Sequence, residues 1–243
     1  MARDLRLHVN VDHVATVRQA RRAAVPSPTE FALLCEEAGA HGITVHLRKD
    51  RRHVQDQDVV ELRARVTTFL NLECSLDEEM LGLAADSGAD AFCVVPENRQ
   101  EVTTEGGLDV VAERERLAKA VPRLTKAGGI VSLFVDPDEA QLRAALDLGA
   151  PFVELHTGSY ANAKGDAKAA ELQRLVDAAA LGRKIGLRVN AGHGLDLANV
   201  GAVAAIEGLE ELNIGHSLVG RALMVGAREA VREMLVSMGA VEA

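Results

Sequence analysis

The segment Gly42-Ile-Thr-Val-His-Leu-Arg-Lys-Asp-Arg-Arg-His53 shows most clearly how this chain folds. Its first half alternates apolar and polar residues: Ile43, Val45 and Leu47 against Thr44, His46 and Arg48. A period of two predicts a β-strand with two different faces. Strands that are buried on both faces of an α/β protein read as apolar throughout, so a polar face needs a reason. We expect this polar face to form part of a functional site. The cationic residues just past the strand would extend that site.

Similar units recur along the whole chain. Strand patterns occupy residues 5–13, 42–48, 69–74, 91–96, 130–136, 152–156, 186–190 and 211–214, and helical patterns follow them. Residues 14–27 are predicted to be a basic loop. Eight strand-then-helix units in 243 residues predict an α/β protein, a single (β/α)8 TIM barrel over residues 1–243. An open doubly wound sheet is the alternative, disfavoured because no GxGxxG turn follows the first strand.

The composition limits the classes of partner. The net charge of −9 argues against a general binder of nucleic acid or of acidic membranes. Hydrophobic residues make up 48% of the chain and aromatic ones 2%, which predicts an aliphatic core. Cys35, Cys74 and Cys93 are an odd number and lack a CxxC spacing, which favours a reducing compartment. We expect all three to be small buried hydrophobic side chains. With no membrane-spanning run and no signal-peptide pattern, we expect a soluble cytoplasmic protein.

The polar residues that alternate with apolar ones along the strands, here called the polar parity, should point into the barrel. They are Asn10, Asp12, Thr44, His46, Arg48, Asn71, Glu73, Asp136, Glu154, His156, Arg188, Asn190 and Asn213. Most of these residues come late in their strands and therefore belong at the carboxyl-terminal mouth, where barrel enzymes carry out their chemistry. Arg6, His8 and Arg188 come early and are expected to form ion pairs inside the barrel instead.

Two glycine turns predict phosphate binding. Gly192-His193-Gly194 follows the seventh strand, and Gly215-His216-Ser217 follows the eighth and leads into a helix. Helix N-termini at this place in a barrel favour anions. Arg48, Arg51, Arg52 and His53 are candidates for a second anion site, although Arg51 and Arg52 equally fit a solvated face.

The histidines are spread over several strands without an HExxH spacing, so we expect proton shuttles and no catalytic metal. The connection 97–108 is long for a strand-to-helix loop and contains Thr103-Thr-Glu-Gly-Gly107. It is a candidate active-site lid, and an ordinary surface excursion is the alternative.

Several motifs together resemble those of one enzyme family. They are Asn10-Val-Asp-His-Val-Ala-Thr-Val-Arg18, Gly42-Ile-Thr-Val-His-Leu-Arg48, Asp50-Arg-Arg-His53, Asn71-Leu-Glu73, Val95-Pro-Glu97, Arg99-Gln-Glu-Val-Thr-Thr-Glu-Gly-Gly-Leu-Asp-Val110, Glu154-Leu-His-Thr-Gly158, Val189-Asn-Ala-Gly-His-Gly194 and Leu212-Asn-Ile-Gly-His216. They run from the first strand to the last. On these motifs the chain resembles the pyridoxine 5′-phosphate synthases of the deoxyxylulose-dependent vitamin B6 pathway.

The resemblance implies a reaction and a set of roles. In that family, 3-amino-2-oxopropyl phosphate and 1-deoxy-D-xylulose 5-phosphate condense to pyridoxine 5′-phosphate, phosphate and water, without metal or organic cofactor. The implied catalytic residues are His46 and Glu73 as proton acceptors, His193 as proton donor and Glu154 as stabiliser of an intermediate. Those implied for the aminoketone phosphate are Asn10, Arg21, Gly194, Gly215 and His216. Those implied for the deoxyxylulose phosphate are Asp12, His13, Arg48, His53 and Thr103. The resemblance also implies a homo-octamer.

Two other functions remain open from the residues. A phosphosugar aldolase would commonly need a strand-end lysine for a Schiff base, and Lys49 lies in the basic turn instead. A phosphate sensor without activity would need the anion sites but not Glu73 and Glu154 pointing into the same cavity.

Overall fold

The computed structural model describes residues 5–97 and 106–241. Eight parallel strands form a closed barrel in chain order. They are β1 (Arg6–Asn10), β2 (Gly42–His46), β3 (Leu70–Cys74), β4 (Ala91–Val94), β5 (Ile130–Val135), β6 (Phe152–His156), β7 (Arg188–Gly192) and β8 (Leu209–Ile214). The ring closes where Leu7 on β1 pairs with Leu212 on β8. The predicted (β/α)8 barrel is confirmed, and the open sheet is excluded.

Helices surround the barrel. They are α1 (Asp12–Gln19), α2 (Pro28–Glu37), α3 (Asp56–Arg65), α4 (Glu78–Asp86), α5 (Arg114–Lys126), α6 (Glu139–Asp147), α7 (Gly158–Asn162), α8 (Gly165–Ile185), α9 (Val200–Ala204), α10 (His216–Val225) and α11 (Ala227–Ser237). Ser27 caps α2 as a side-chain acceptor for the Glu30 N–H at 3.3 Å. The last predicted helix is divided at Gly226, whose φ of +86° breaks the helical path.

The prediction of a basic loop over residues 14–27 was wrong for its first part, because Asp12–Gln19 is helix α1. Asp12 lies in the first turn, where a negative charge is favourable. Val14, Ala15 and Arg18 are buried against the barrel. Because the charged Arg18 occupies a buried position, the apolar stripe of this short helix is interrupted. The sequence pattern therefore does not indicate a helix here.

The apolar parity of the strands packs against the helices, as predicted. Leu7, Val9, Ile43 and Val45 have no exposed surface. Burying each such side chain contributes about 1.5–3 kcal/mol of folding free energy. The polar parity therefore faces inward. Because the barrel is closed, the ends of β1 to β8 surround one opening.

The amino-terminal end of the barrel contains the expected ion pairs. Arg6 and Arg188 both contact Glu210, and His8 Nε2 lies 3.0 Å from a Glu211 oxygen. A cavity of about 280 Å³ lies among these residues and reaches up to Glu154. In the described part of the chain, no helix is both long and apolar enough to cross a membrane.

Candidate active site

Asp12 connects the ends of the first two strands. Its backbone N–H donates to Asn10 Oδ1 at 2.9 Å, and Asn10 Nδ2 donates back to Asp12 Oδ2 at 2.8 Å. The His46 backbone N–H donates to Asp12 Oδ1 at 2.8 Å. Asp12 starts a helix directly after β1, so its carboxylate is held rigidly at the mouth. Burial nevertheless raises the pKa of Asp12 to about 7, against the lowering effect of these hydrogen bonds.

His46 and Glu73 face each other across β2 and β3, where they are register partners. His46 Nδ1 lies 3.8 Å from Glu73 Oε2. Burial, then the negative charges of Asp12 and Glu154, raise the pKa of Glu73 well above its usual value. Burial, then the His53 and Arg48 charges, lower the pKa of His46 to about 3. The burial of both groups therefore favours the neutral forms of the imidazole and of the carboxyl group.

A cationic region lies beyond the end of β2. Arg48 is 2% exposed, and its Nε lies 3.7 Å from both Asp50 Oδ1 and Glu97 Oε1. His53 Nδ1 accepts a hydrogen bond from the Val54 N–H at 2.8 Å. Burial, then the charge of Arg48, lower the pKa of His53 to about 4. The region thus combines a buried guanidinium with an imidazole whose Nδ1 is already occupied.

Arg51 and Arg52 form ion pairs beside this region. Arg51 pairs with Asp56 and Glu79, and Arg52 pairs with Asp50. Their side chains are 21% and 29% exposed, so they do not form the solvated face of the alternative, and their role at a second anion site stays a prediction.

A second group of residues lies around β1 and β8. The rings of His13 and His216 meet edge to face, with centroids 4.9 Å apart. Gly215 precedes α10 and packs so closely on Asn10 that a Cβ at this position would lie 3.0 Å from the Asn10 side chain. Burial, then the charge of His216, lower the pKa of His13. The N-terminus of α10 therefore lies beside the His13 ring and the Asn10 amide, a setting suited to an anion.

His193 completes the mouth from the turn after β7. Its φ of +85° is strained for a residue with a side chain, and Thr157 holds the turn in place. The Thr157 hydroxyl lies 2.7 Å from the Gly192 carbonyl oxygen and 2.5 Å from that of His193. The His193 ring lies 5.3 Å from that of His156. Burial, then the charges of His156 and His13, lower the pKa of His193 to about 4.

Glu154 projects from β6 into the lumen and is 3% exposed. Asn213 Nδ2 donates to Glu154 Oε2 at 2.6 Å, and the Cys93 thiol lies 3.9 Å from the same oxygen. Burial raises the pKa of Glu154 to about 8, although the hydrogen bond from Asn213 opposes the rise. Glu154 also acts electrostatically on Glu73, so the two carboxyl groups share one interior.

Most of the residues singled out in the sequence meet at this mouth, so the chemistry is not scattered over the molecule. Gly194 lies in the strained turn with φ +75°. Arg21 is exposed after α1 and forms no ion pair with the described residues. Thr103 and most of the candidate lid, residues 98–105, lie outside the described residues.

Two groups in and around the mouth were not assigned roles from the sequence. Asp136 Oδ1 lies 3.0 Å from His156 Nδ1, behind His193. Arg18 forms a bidentate pair with Asp58 at 2.6 and 2.7 Å and donates to the His53 carbonyl oxygen at 3.3 Å. The inward parity of Asp136 and His156 was a usable signal for the first group. The second depends on the unexpected helix α1, so no local pattern indicated it.

The chemistry of the site is acid–base in character. Ligand atoms of Asp12, His46 and Glu73 lie within 4.8 Å of one another, close enough for the three side chains to bind one metal ion. Both Asp12 oxygens already accept hydrogen bonds, however. Carboxyl groups with raised pKa values beside neutral imidazoles can accept or donate protons near neutral pH.

Comparison with known proteins identifies the family of this chain. The family model described as "Pyridoxal phosphate biosynthesis protein PdxJ" matches residues 7–240. A protein of Synechococcus sp. (strain WH7803) named pyridoxine 5′-phosphate synthase is 58% identical over 228 residues, covering 94% of this chain and 92% of the relative. A protein of the same name from Prochlorococcus marinus (strain MIT 9313) is also 58% identical over 228 residues, covering 94% and 93%.

Solved structures with lower identity share the fold. The 3-keto-L-gulonate-6-phosphate decarboxylase of Vibrio cholerae superposes with a TM-score of 0.64 at 13% identity, covering 96% of this chain and 97% of that one. Phosphoribosyl anthranilate isomerase of Thermus thermophilus gives 0.60 at 15% identity, covering 96% and 98%. At these identities the likeness concerns the barrel alone.

Proposed function

This chain belongs to the PdxJ family of pyridoxal phosphate biosynthesis proteins, and on that premise we propose that it is a pyridoxine 5′-phosphate synthase. It would join 3-amino-2-oxopropyl phosphate and 1-deoxy-D-xylulose 5-phosphate into pyridoxine 5′-phosphate, with release of phosphate and water. The observation that carries this proposal is the convergence of Asp12, His46, Glu73 and Glu154 in one buried mouth.

The reaction needs many proton transfers in one place. Imine formation, dehydration, phosphate loss and ring closure each move protons, so several acid–base groups must surround the reacting atoms. In our proposal His46 and Glu73 accept protons, and His193 donates one after the negative charge of a bound substrate has favoured its protonated form. Glu154 would stabilise a cationic or hydrated intermediate, because its carboxyl group, once ionised opposite that charge, lies in a buried interior where electrostatic attraction is strong.

The raised pKa of Glu73 suggests how a proton acceptor is generated. In the free protein burial, and then the neighbouring carboxyl groups, favour its protonated form. A substrate amine that enters as an ammonium ion would offset those negative charges and favour ionisation. Binding of the aminoketone would then prepare Glu73 for its role.

Two anion regions match two phosphorylated substrates. The aminoketone phosphate would bind near the N-terminus of α10, with Asn10, Gly194, Gly215 and His216, and Arg21 would have to turn inward. The deoxyxylulose phosphate would bind on the other side, with Asp12, His13, Arg48, His53 and Thr103. Closure of the loop 97–108 would exclude water.

The aldolase alternative is weakened by Lys49. Its Nζ lies 2.5 Å from Asp77 Oδ2, and its side chain is 44% exposed. An amine held in an exposed ion pair is poorly placed to act as the nucleophile that forms a Schiff base.

We also propose a homo-octamer in the cytoplasm. Leu223 and Met224 at the end of α10 are 69% and 80% exposed, which is unusual for large apolar side chains. A subunit interface would cover them. Light scattering of the purified protein after size exclusion tests the assembly, and a monomer would contradict it.

The direct test is to mix the two phosphorylated ketones with the purified protein. We expect a pyridinol absorbance band and one inorganic phosphate for each ring formed, and no product when either ketone is omitted. Phosphate release without a ring, or neither product, would reject the proposed function. Dialysis against a chelator should leave the rate unchanged.

A further inference from the structure

A line of hydrogen bonds crosses the barrel lumen beneath the mouth and ends on Glu154. Asn71 Nδ2 donates to Thr44 Oγ1 at 3.3 Å. The Thr44 hydroxyl donates to Asn213 Oδ1 at 2.6 Å, and Asn213 Nδ2 donates to Glu154 Oε2 at 2.6 Å. The four side chains are between 0% and 7% exposed, so these bonds lie away from bulk water.

The order of donors and acceptors along this line determines which way the Asn213 amide faces. Thr44 Oγ1 accepts a hydrogen bond from the Asn71 amide, so the hydroxyl hydrogen of Thr44 is available to donate to Asn213 Oδ1. With its oxygen turned to Thr44, Asn213 presents its NH₂ group to Glu154. An NH₂ group can only donate, so Glu154 meets a donor and not a repelling carbonyl oxygen.

The opposite side of the carboxyl group is confined by Gly192. A Cβ at this position would lie 2.3 Å from Glu154 Oε1 and 3.0 Å from the Asn213 side chain. Gly192 is therefore required for the close approach of the carboxyl group. Held between Asn213 and Gly192, Glu154 has little freedom to turn away from the mouth.

We propose that Asn213 is a positioning residue for Glu154, and that Thr44 sets the orientation of the Asn213 amide. The inference rests on the proposed function, in which the Glu154 carboxylate faces a cationic intermediate. The N–H donor stabilises the ionised carboxylate against the cost of burial. Asn213 acts through Glu154 and need not touch a substrate.

Other groups around Glu154 do not supply this donor. Glu73 on β3 and Glu211 on β8 are carboxyl groups and disfavour its negative charge. The Cys93 thiol on β4 is a weak donor at 3.9 Å. The register neighbours Phe134 on β5 and Asn190 on β7 carry no charge.

The test compares three variants of the intact enzyme. Thr44→Val removes the hydroxyl at nearly constant volume, Thr44→Ser keeps it, and Asn213→Leu removes the donor. The limb of the kcat–pH profile that reports ionisation of Glu154 should move upward by about one pH unit or more in Thr44→Val and Asn213→Leu. Thr44→Ser should follow the original enzyme, and KM for both ketones should stay within about threefold.

A substrate-free measurement separates this inference from the proposed function. Infrared difference titration of the buried carboxyl groups, with Glu154→Gln to assign the Glu154 band, should show the same upward shift. If the original enzyme forms no pyridinol, the proposed function fails, and the infrared titration still decides the inference. An unmoved Glu154 band in folded Thr44→Val overturns it, even if Asn213→Leu does not fold.

Discussion

Asp136 Oδ1 lies 3.0 Å from His156 Nδ1, and the His156 ring lies 5.3 Å from that of His193. The His156 contact holds the pKa of Asp136 below its usual value, so the carboxylate is charged and favours a proton on Nδ1 of the ring. His156 Nε2 lies against Gly158, where an added Cβ would be 2.3 Å from it. Through the contact between the two rings, we expect the pair to support His193, to which we assign proton donation.

Asp136→Asn should lower kcat by about tenfold with little change in either KM, because the amide no longer sets the His156 tautomer. Steady-state kinetics with both ketones measure the effect. Asp138→Asn is the matched control, since Asp138 pairs with Arg174 on the exposed surface. Equal kcat values for the two variants would contradict a supporting role for Asp136.

Glu73→Gln should nearly abolish product formation, because it should lower kcat by about 10² to 10⁴. The substitution removes a proton acceptor but little volume, so substrate binding should change by less than about tenfold. Single-turnover rates and equilibrium binding of each ketone give the two quantities. Near-native turnover would remove Glu73 from the mechanism.

Gly215→Val should weaken binding of the aminoketone phosphate. Even a Cβ at this position lies 3.0 Å from Asn10, so the larger side chain should displace Asn10 from Asp12 and obstruct the start of α10. We expect a rise of about tenfold in the KM for that substrate. Gly220→Val in the same helix is the control, because a Cβ there meets no atom within 4 Å. An unchanged KM in Gly215→Val would reject phosphate binding at this turn.

Arg18→Met should destabilise the protein by about 3 kcal/mol, because it leaves the buried Asp58 carboxylate without its partner. It should also weaken binding of the deoxyxylulose phosphate, since Arg18 holds the His53 carbonyl oxygen at 3.3 Å. Denaturant unfolding and binding measurements test both effects. The control is Arg63→Met, which breaks an exposed pair with Asp90 and should cost less than about 1 kcal/mol. Equal destabilisation by the two substitutions would contradict the assigned role of the buried pair.

Glu154 should make stability depend on pH. Its folded pKa of about 8 lies above the ordinary value of 4.5, so the folded state binds this proton more tightly than the unfolded state. This contribution is complete below about pH 4.5 and is lost as the pH rises towards 8. The free energy of unfolding of Glu154→Gln should therefore rise relative to that of the original protein over this window, by about 1.4 kcal/mol per pH unit at most. Thermal and denaturant unfolding at several pH values measure the difference, and a difference independent of pH would contradict the raised pKa.

Local patterns in the sequence contained most of the fold. Alternation at Thr44, His46 and Glu73 predicted strands with inward polar faces, because a strand turns successive side chains to opposite sides whatever its partners are. Eight strand-then-helix units were sufficient to predict the barrel, and the identity of the motifs was sufficient to predict the family. Helix α1 escaped this reasoning, because its buried Arg18 reads as a surface residue until Asp58 is seen beside it.

Other features arise only when the barrel closes. The pKa values of Glu73 and Glu154 depend on burial and on carboxyl groups that are distant in the chain. The contacts of His156 with Asp136 and of Asn213 with Glu154 join residues 20 and 59 positions apart. Parity along a strand indicates which way a side chain points, but not which side chain it meets across the lumen. The distances between strands, and hence the charges of these groups, follow from the closure of the ring.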